Sequence, residues 1–313
     1  MEKKSKKNTI TLEPPPDNSS FESYFYGLSI SGASIKGDRD SNEDVEVLNT
    51  LTTPDPSPLL MVGLLDGHGG YEAAVYCSNE IIKSFAENMK IWPNIHRIFT
   101  HSFKNTHKHF ARYFPRSEAG TTATFALIQQ NSIHVANCGD SRAVVLYHDA
   151  VQQITIDHSP GNPEEKARIA AMGGVVTNIG GVSRVFGILS VSRALGDNLL
   201  KPYVSELPDV FELEASREVL AVILGCDGLF YGLSNEEIST KLREELRAGY
   251  SLKEAAQRLS QISVDRHCYD NVSLVAIVFP GGIEALIEGK AREIDAFVDE
   301  NEQRSFYRKF RNE

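Results

Sequence analysis

Four aspartates stand at the ends of apolar runs that have the length of β-strands. Asp66 and Asp227 each follow such a run and precede a glycine, Asp140 follows a third run, and Asp270 lies just before the last one. If these runs are strands of one packed sandwich, their ends meet at a single rim. Four carboxylates gathered there would repel one another unless a cation neutralises them. A cluster of oxygen ligands without histidine or cysteine suits Mg²⁺ or Mn²⁺ better than zinc, so the pattern predicts a site for hard cations.

The alternative is that each Asp-Gly pair is only a turn, because both residues favour turns for backbone reasons. That interpretation suffices for any single pair. Four acids at four strand ends, together with the pair Glu43-Asp44 after the first strand, favour the metal site.

Two further side chains could act beside such a centre. Arg39 lies shortly before Glu43, and a guanidinium near bound metals could hold two oxygens of a phosphate, although it could equally pair with a neighbouring acid. His68 follows Asp66 in a glycine-rich turn, where it could donate a proton. Lone histidines are more often structural, and that is our interpretation of His96, His101, His107, His109, His134 and His148.

Strand-length apolar runs and a few helices must position these residues. The runs are Tyr26 to Ile35, Leu59 to Leu65, Thr122 to Ile128, Ile133 to Cys138, Ala143 to Tyr147, Val219 to Cys226 and Val272 to Phe279. Helices are predicted from about Tyr71 and from Leu252, with capping-box spacings at Asn162/Glu165, Ser234/Glu237 and Ser251/Glu254. Blocks of strands separated by pairs of helices predict an α+β fold rather than a doubly wound parallel sheet.

The domain organisation follows from composition. Residues 1–22 are polar and proline-rich and are predicted to be a flexible tail. Residues 23–280 are predicted to form one domain, and residues 281–313 a charged helical extension in which Ile294 and Phe297 are loosely periodic with earlier apolar residues.

Charge and cysteine content exclude several classes of protein. The chain of 313 residues carries 42 acidic and 32 basic side chains, so neither nucleic acid nor a membrane surface is an expected partner. Its four cysteines form no C-x-x-C pair, and no apolar stretch reaches the roughly 20 residues that a membrane span needs. We expect a cytoplasmic protein, with the lysines between Lys3 and Lys7 as a weak nuclear address.

Seven short motifs occur in a fixed order between Arg39 and Phe279. They are Arg39-Asp40-Ser41-Asn42-Glu43-Asp44, Leu65-Asp66-Gly67-His68-Gly69-Gly70, Gly120-Thr121-Thr122-Ala123, Asn137-Cys138-Gly139-Asp140-Ser141-Arg142, Ser192-Arg193-Ala194-Leu195-Gly196-Asp197, Cys226-Asp227-Gly228 and Asp270-Asn271. In these motifs the sequence resembles the type 2C, or PPM, metal-dependent protein serine/threonine phosphatases. Because it has a histidine at position 68, the sequence resembles the eukaryotic-type branch of that family.

The resemblance implies a central β-sandwich of two antiparallel sheets flanked by helices on both sides, with two Mg²⁺ or Mn²⁺ ions at one rim. It implies that Asp66 bridges both ions and that Asp227 and Asp270 complete one of them. Glu43 and the Gly67 carbonyl would serve the other ion. Asp44 would orient a metal-bound water.

The activity implied is hydrolysis of phosphoserine and phosphothreonine in signalling proteins, without a phosphoenzyme intermediate. A water activated by the two cations would attack phosphorus, Arg39 would neutralise phosphoryl oxygens, and His68 would protonate the leaving oxygen. Partners would be a phosphorylated protein substrate and a protein kinase or regulatory protein, and the enzyme would be a monomer. Residues 157–186 resemble the family's flap beside the active site, while Arg193 and Asp197 are expected to pair with each other behind it.

One position departs from the family pattern. Members usually carry an aspartate four residues beyond Asp227 that helps Asp140 hold a third, weaker metal, but here that residue is Tyr231. A phenol is a poor ligand at neutral pH, so we expect the third ion to bind weakly or not at all.

Two other functions remain to be weighed. A pseudophosphatase would keep the fold as a binding scaffold, but the chain retains Arg39, Asp66 and His68. A carboxylate-pair glycoside hydrolase would need only two acids and would leave the glycines around His68 unexplained.

Overall fold

The computed structural model describes residues 10–51, 59–129 and 132–289. Its strands, in chain order, are β1 (Asn18–Phe25), β2 (Leu28–Ile35), β3 (Val45–Leu51), β4 (Leu59–Leu65), β5 (Gly67–His68), β6 (Gly120–Thr121), β7 (Ala123–Ile128), β8 (Ser132–Cys138), β9 (Arg142–Tyr147), β10 (Val151–Gln153), β11 (Val176–Ile179), β12 (Val182–Val185), β13 (Leu195–Gly196), β14 (Asp209–Glu214), β15 (Val219–Gly225) and β16 (Val272–Val278). Its helices are α1 (Glu72–Met89), α2 (Ile95–Tyr113), α3 (Pro163–Ala171), α4 (Asp227–Gly232), α5 (Asn235–Arg247), α6 (Leu252–Asp265) and α7 (Gly282–Glu288), with a 3₁₀ turn at Asn198–Leu200.

Two antiparallel sheets form the body of the protein. One has the strand order β1-β2-β16-β15-β9-β10 and the other β14-β8-β7-β4-β3. Helices α5 and α6 cover the outer face of the first sheet, and α1 and α2 cover the outer face of the second. This arrangement confirms the predicted α+β sandwich flanked by helices on both sides.

The cores follow from alternation along the strands. Leu60, Val62 and Leu64 of β4 point into the space between the sheets, whereas Met61 and Leu65 point toward α1 and α2. Successive side chains of a strand face opposite sides, so a strand buried on both faces is apolar throughout, as β4 is.

The predicted capping boxes are confirmed at two of three helix starts. Ser234 and Glu237 exchange hydrogen bonds at the start of α5, as do Ser251 and Glu254 at the start of α6. The third prediction was wrong. Asn162 accepts from the backbone of Glu164, while the Glu165 carboxylate turns away to bind two arginines, because these offer charged donors.

The predicted flexible tail was wrong for residues 18–22. They belong to β1, which pairs with β2 along its whole length from Asn18↔Ile35 to Phe25↔Leu28. The Phe21 ring packs directly over Gly32, where a side chain would collide with it. Tertiary pairing therefore orders a polar segment whose composition favours disorder. At the other end, α7 lies in the predicted extension, and Ile294 and Phe297 lie outside the described residues.

Antiparallel pairing brings the acid-bearing strand ends to one rim. The end of β15 lies beside the start of β16 at Gly225↔Leu274, and the end of β8 beside the start of β7 at Ala123↔Cys138. The start of β3 likewise pairs with the end of β4 at Val45↔Leu65. None of the helices in the described residues has the apolar length that a membrane span requires.

Candidate metal centre and active site

Three aspartates converge at this rim. One carboxylate oxygen each from Asp66, Asp140 and Asp227 lie within 4.8 Å of one another. Asp66 and Asp140 are half-buried and Asp227 is exposed, so the cluster can be reached from solvent. The sequence-predicted acids from three separate strand ends are thus brought together.

A threonine links two of these aspartates through backbone and side-chain hydrogen bonds. The Asp66 backbone N–H donates to the Thr122 hydroxyl at 3.1 Å, and the Thr122 backbone N–H donates to the Asp66 carbonyl at 2.9 Å. The same hydroxyl lies 2.7 Å from that of Ser141, the residue after Asp140. The motif around Thr122 therefore fixes the distance between two loops of the site.

Asp44 is the most unusual acid at the rim. It is buried, and neither of its carboxylate oxygens has a hydrogen-bond partner among the described residues. Burial, with the charges of Asp270 and Asp227, raises the pKa of Asp44 to about 8, although the nearby Ser273 hydroxyl and Cys226 thiol oppose the shift. Buried carboxylates are normally satisfied, so Asp44 faces a position suited to a cation or a metal-bound water.

The other acids show the same electrostatic strain. Enclosure by protein, with the charges of Asp44 and Asp227, raises the pKa of Asp66 well above its usual range. Enclosure and the charge of Asp227 do the same for the pKa of Asp140. Although the Asp227 residue reaches solvent, the protein atoms packed around its carboxylate and the charge of Asp270 raise its pKa. Divalent cations would relieve this repulsion.

Glu43 lies at the edge of the cluster with its carboxylate held locally. It accepts from the Gly70 backbone at 3.0 Å and from the Ser41 hydroxyl at 3.1 Å. Gly67 packs so closely on the Glu43 carbonyl that any larger residue would collide with it. Glu43 and Gly67, predicted to serve one ion, are therefore neighbours.

Asn271 holds the Glu43 loop against the start of β16. Its side-chain oxygen accepts from the Glu43 backbone at 2.9 Å, and its amide donates to the carbonyls of Lys36 and Ser41 at 2.7 and 3.0 Å. Asn271 belongs to the motif Asp270-Asn271, but the sequence alone predicted no role for it. Its position directly after a predicted ligand, Asp270, was the available signal.

Arg39 extends across the rim to Asp270. Its Nη2 atom lies 2.7 Å from the Asp270 carboxylate, and its Nε atom donates to the Tyr269 carbonyl at 2.8 Å. Enclosure raises the pKa of Asp270, while the Arg39 charge opposes that rise. The predicted phosphate-binding arginine is exposed beside a predicted metal ligand, rather than paired with Asp38, Asp40 or Glu43.

The expected Arg193–Asp197 pair was wrong. Arg193 binds Glu165 and Asp209, each at 2.8 Å, because both carboxylates approach the fork of its guanidinium. Asp197 instead accepts from the ring of His68, with His68 Nε2 at 2.9 and 3.1 Å from its two oxygens. The contact between His68 and Asp197 was not predicted from the sequence. An aspartate directly after a glycine in a short motif was the only signal for it.

The segment 157–186, predicted to be a flap, contains α3 and the hairpin of β11 and β12. Its hairpin carries exposed apolar side chains, including Ile179 and Val182. Asp157, at its start, is fixed to Arg142 at 2.7 Å.

The donor set fits hard divalent cations. All candidate ligands are oxygens, and the buried Asp44 carboxylate has no hydrogen-bond partner among the described residues. Burial and the neighbouring negative charges raise the pKa values of Asp66 and Asp140. These features define a class: a helix-flanked β-sandwich protein with a centre for divalent cations at one rim.

Comparison with known proteins gives the family. A family model described as "Protein phosphatase 2C" matches residues 28–272. A probable protein phosphatase 2C 52 from Oryza sativa subsp. japonica is 32% identical over 256 residues, which cover 80% of this chain and 50% of that protein. Another from the same organism, probable protein phosphatase 2C 45, is 32% identical over 263 residues, which cover 82% of this chain and 91% of that protein. The chain belongs to the protein phosphatase 2C family, whose members are metal-dependent serine/threonine phosphatases.

Solved structures share the fold. A C. elegans sex-determining protein superposes with a TM-score of 0.75 at 25% identity, covering 83% of this chain and 67% of that one. A serine-threonine phosphatase 2C from Toxoplasma gondii gives a TM-score of 0.74 at 19% identity, covering 85% of this chain and 100% of that one. The aligned part of the chain spans half the length of the rice protein phosphatase 2C 52.

Proposed function

We propose that this chain hydrolyses phosphoserine and phosphothreonine in proteins at a centre of two Mg²⁺ or Mn²⁺ ions. The observation that carries the proposal is the convergence of Asp66, Asp140 and Asp227 near Asp44, whose buried carboxylate has no hydrogen-bond partner in the described part of the chain. Family membership supports the reaction type.

The proposed ligands are those expected from the motifs. Asp66 would contact both ions, Asp227 and Asp270 one of them, and Glu43 with the Gly67 carbonyl the other. Asp140 would hold only a weak third ion. When bound, two divalent cations supply positive charge that activates a water and neutralises phosphoryl oxygens.

Residues of the chain would orient the water, bind the phosphate and protonate the leaving oxygen. Asp44 would orient the attacking water through its free oxygens. Arg39 would turn part of its guanidinium from Asp270 toward the phosphate. His68 would give a proton to the departing seryl or threonyl oxygen, so that neither a phosphoenzyme nor a cysteine nucleophile is needed.

The wider biological role is part of the same proposal. We infer a monomeric signalling enzyme of the cytoplasm or nucleus that acts on phosphoproteins, and a kinase or regulatory protein as a second partner. Residues 157–186 would contribute to substrate preference, since exposed apolar side chains of this hairpin offer a contact surface. Residues 23–280 would be the catalytic unit, extended at its start by β1, and residues 281–313 would be an extension beginning with α7.

Turnover of a phosphothreonine peptide with added Mn²⁺ tests the proposal. We expect Asp66→Asn and Asp227→Asn to abolish turnover, because each removes a charged ligand, while Asp149→Asn at an exposed turn leaves it unchanged. Full activity in excess chelator would contradict the metal mechanism. Absence of turnover with either cation, in protein that binds phosphopeptide, would favour the pseudophosphatase.

A further inference from the structure

We propose that Asp197 is a positioning residue that fixes the ring of His68 for proton transfer. Both Asp197 oxygens lie within hydrogen-bonding distance of His68 Nε2, at 2.9 and 3.1 Å. The inference rests on the proposed function, because it assigns to Asp197 the orientation of the group that protonates the leaving oxygen.

A small three-stranded sheet builds this contact. β5 carries His68, β6 pairs with it at His68↔Gly120, and β13 pairs with β6 at Gly196↔Gly120. A Cβ atom at Gly120 would contact both the Asp197 carboxylate and His68 Nε2. The absence of a side chain at position 120 is therefore what allows the two groups to meet across the middle strand.

The backbone holds Asp197 in a demanding conformation. Its φ of +49° lies in the left-handed region, which aspartate and asparagine tolerate better than most residues. Its N–H donates to the Ala119 carbonyl at 3.1 Å, and the preceding N–H, from Gly196, donates to His107 Nδ1 at 3.3 Å. Asp197 is only 5% exposed, so its carboxylate is fixed from several sides.

Lys201 also stabilises the segment that carries Asp197. Its ammonium donates to the Ala194 carbonyl at 2.7 Å. Burial, with the charge of Lys201, lowers the pKa of His107 to about 4, so His107 is a neutral acceptor for the Gly196 N–H. Two polar side chains therefore stabilise the turn that presents Asp197.

The chemistry follows from what a carboxylate can do. An ionised carboxylate only accepts hydrogen bonds, so the ring must keep a hydrogen on Nε2. Among the described residues Nδ1 of His68 has no hydrogen-bond partner, which leaves it as the nitrogen that exchanges a proton with substrate. As the P–O bond breaks, its electron pair stays on the leaving oxygen, which takes the proton from Nδ1. The neutral ring keeps its Nε2–H on Asp197 and recovers a proton from solvent.

The substitution Asp197→Asn tests the inference, since asparagine keeps the size and tolerates the left-handed backbone. Its amide can also donate to Nε2 and so permits the wrong tautomer. We expect kcat on a phosphothreonine peptide to fall by up to roughly a hundredfold, which is the lower end of what a general acid contributes. KM and hydrolysis of p-nitrophenyl phosphate should change little, because nitrophenolate leaves without a proton.

A double-mutant cycle separates positioning from structure. In a His68→Ala background, Asp197→Asn should cost nothing further, because the residue acts only through the ring. The matched control is Asp209→Asn, since Asp209 also accepts from a histidine, His158 at 3.0 Å, to which no proton transfer is assigned. That control should lower stability without dependence on the leaving group.

Two outcomes would overturn the inference. One is an equal loss on both substrates, and the other is an Asp197→Asn effect that persists in full without His68. An inactive wild-type protein would instead refute the proposed function itself, so the two failures are distinguishable.

Discussion

Arg39 and Asp270 form an ion pair at 2.7 Å across the rim of the candidate centre. The pair joins the residue proposed to bind phosphate to a residue proposed to bind metal. A bound ion would take the Asp270 carboxylate and leave the guanidinium free for substrate, so the two binding events should be coupled.

Replacement of Arg39 by lysine tests this coupling. Lysine keeps the charge but loses the planar fork, and a lost charged hydrogen bond costs about 1.5–3 kcal/mol, so we expect KM for phosphopeptide to rise about tenfold or more. Half-saturating Mn²⁺ should change less than KM. A shift in metal activation with an unchanged KM would show that Arg39 serves only to hold Asp270.

Because Asp44 is buried without a hydrogen-bond partner among the described residues, we expect its substitution to affect the metal-free and the metal-bound protein differently. Burial raises the pKa of Asp44 to about 8. Without metal at pH 7, folding therefore either protonates this carboxylate or buries its negative charge, whereas in the unfolded chain the carboxylate is ionised in water. Asp44→Asn should therefore raise Tm in chelator by a few degrees, since about 1 kcal/mol shifts Tm by roughly 2–4 °C in a domain of this size. The increase in Tm on adding Mn²⁺ should be smaller than in the wild type. Calorimetry in both conditions measures this, and a lower Tm in chelator would contradict it.

Glu165 predicts how stability depends on pH. Burial acts to raise its pKa, but hydrogen bonds from Arg193 and Arg168, with the charge of Arg193, outweigh burial and lower the pKa from 4.5 to about 2. The ionised form is thus favoured by folding. Its contribution is complete above about pH 4.5 and is lost as the pH falls toward about 2.

We expect Glu165→Gln to lower the free energy of unfolding at pH 7 by roughly 2–3 kcal/mol, with the difference from wild type shrinking between pH 4.5 and pH 3. Urea unfolding across this range is the measurement. The exposed neighbour Glu164→Gln is the control and should show little pH-dependent difference. A loss that stays constant with pH would mean that packing, not charge, holds Arg193.

Tyr231 predicts a weak third metal position. It lies one turn after Asp227 in α4, on the same face, and its side chain is 70% exposed. Tyr231→Asp would add an anionic oxygen beside Asp140 and Asp227, so activation by Mn²⁺ should tighten while the fold is unchanged. Activity titrations paired with calorimetry measure both effects. A wild-type protein with three sites of useful affinity would refute the prediction.

The fold class, the family and most of the acid cluster could be predicted from the sequence. Apolar runs ending in Asp66, Asp140 and Asp227 carry that information locally, because a strand buried on both faces must be apolar and its end must be polar. The capping boxes at Ser234 and Ser251 were equally local, since each needs only two residues at a fixed spacing.

The partners of the charged groups, by contrast, became clear only in the folded protein. Glu165 binds Arg193 instead of capping its helix. Asp197 binds His68, which lies 129 residues away in the chain, instead of Arg193. Residues 18–22 likewise form a strand only because β2 offers an edge to pair with. Side-chain partners depend on distances set by strand register and by the missing side chain of Gly120, and spacing along the chain does not encode those distances.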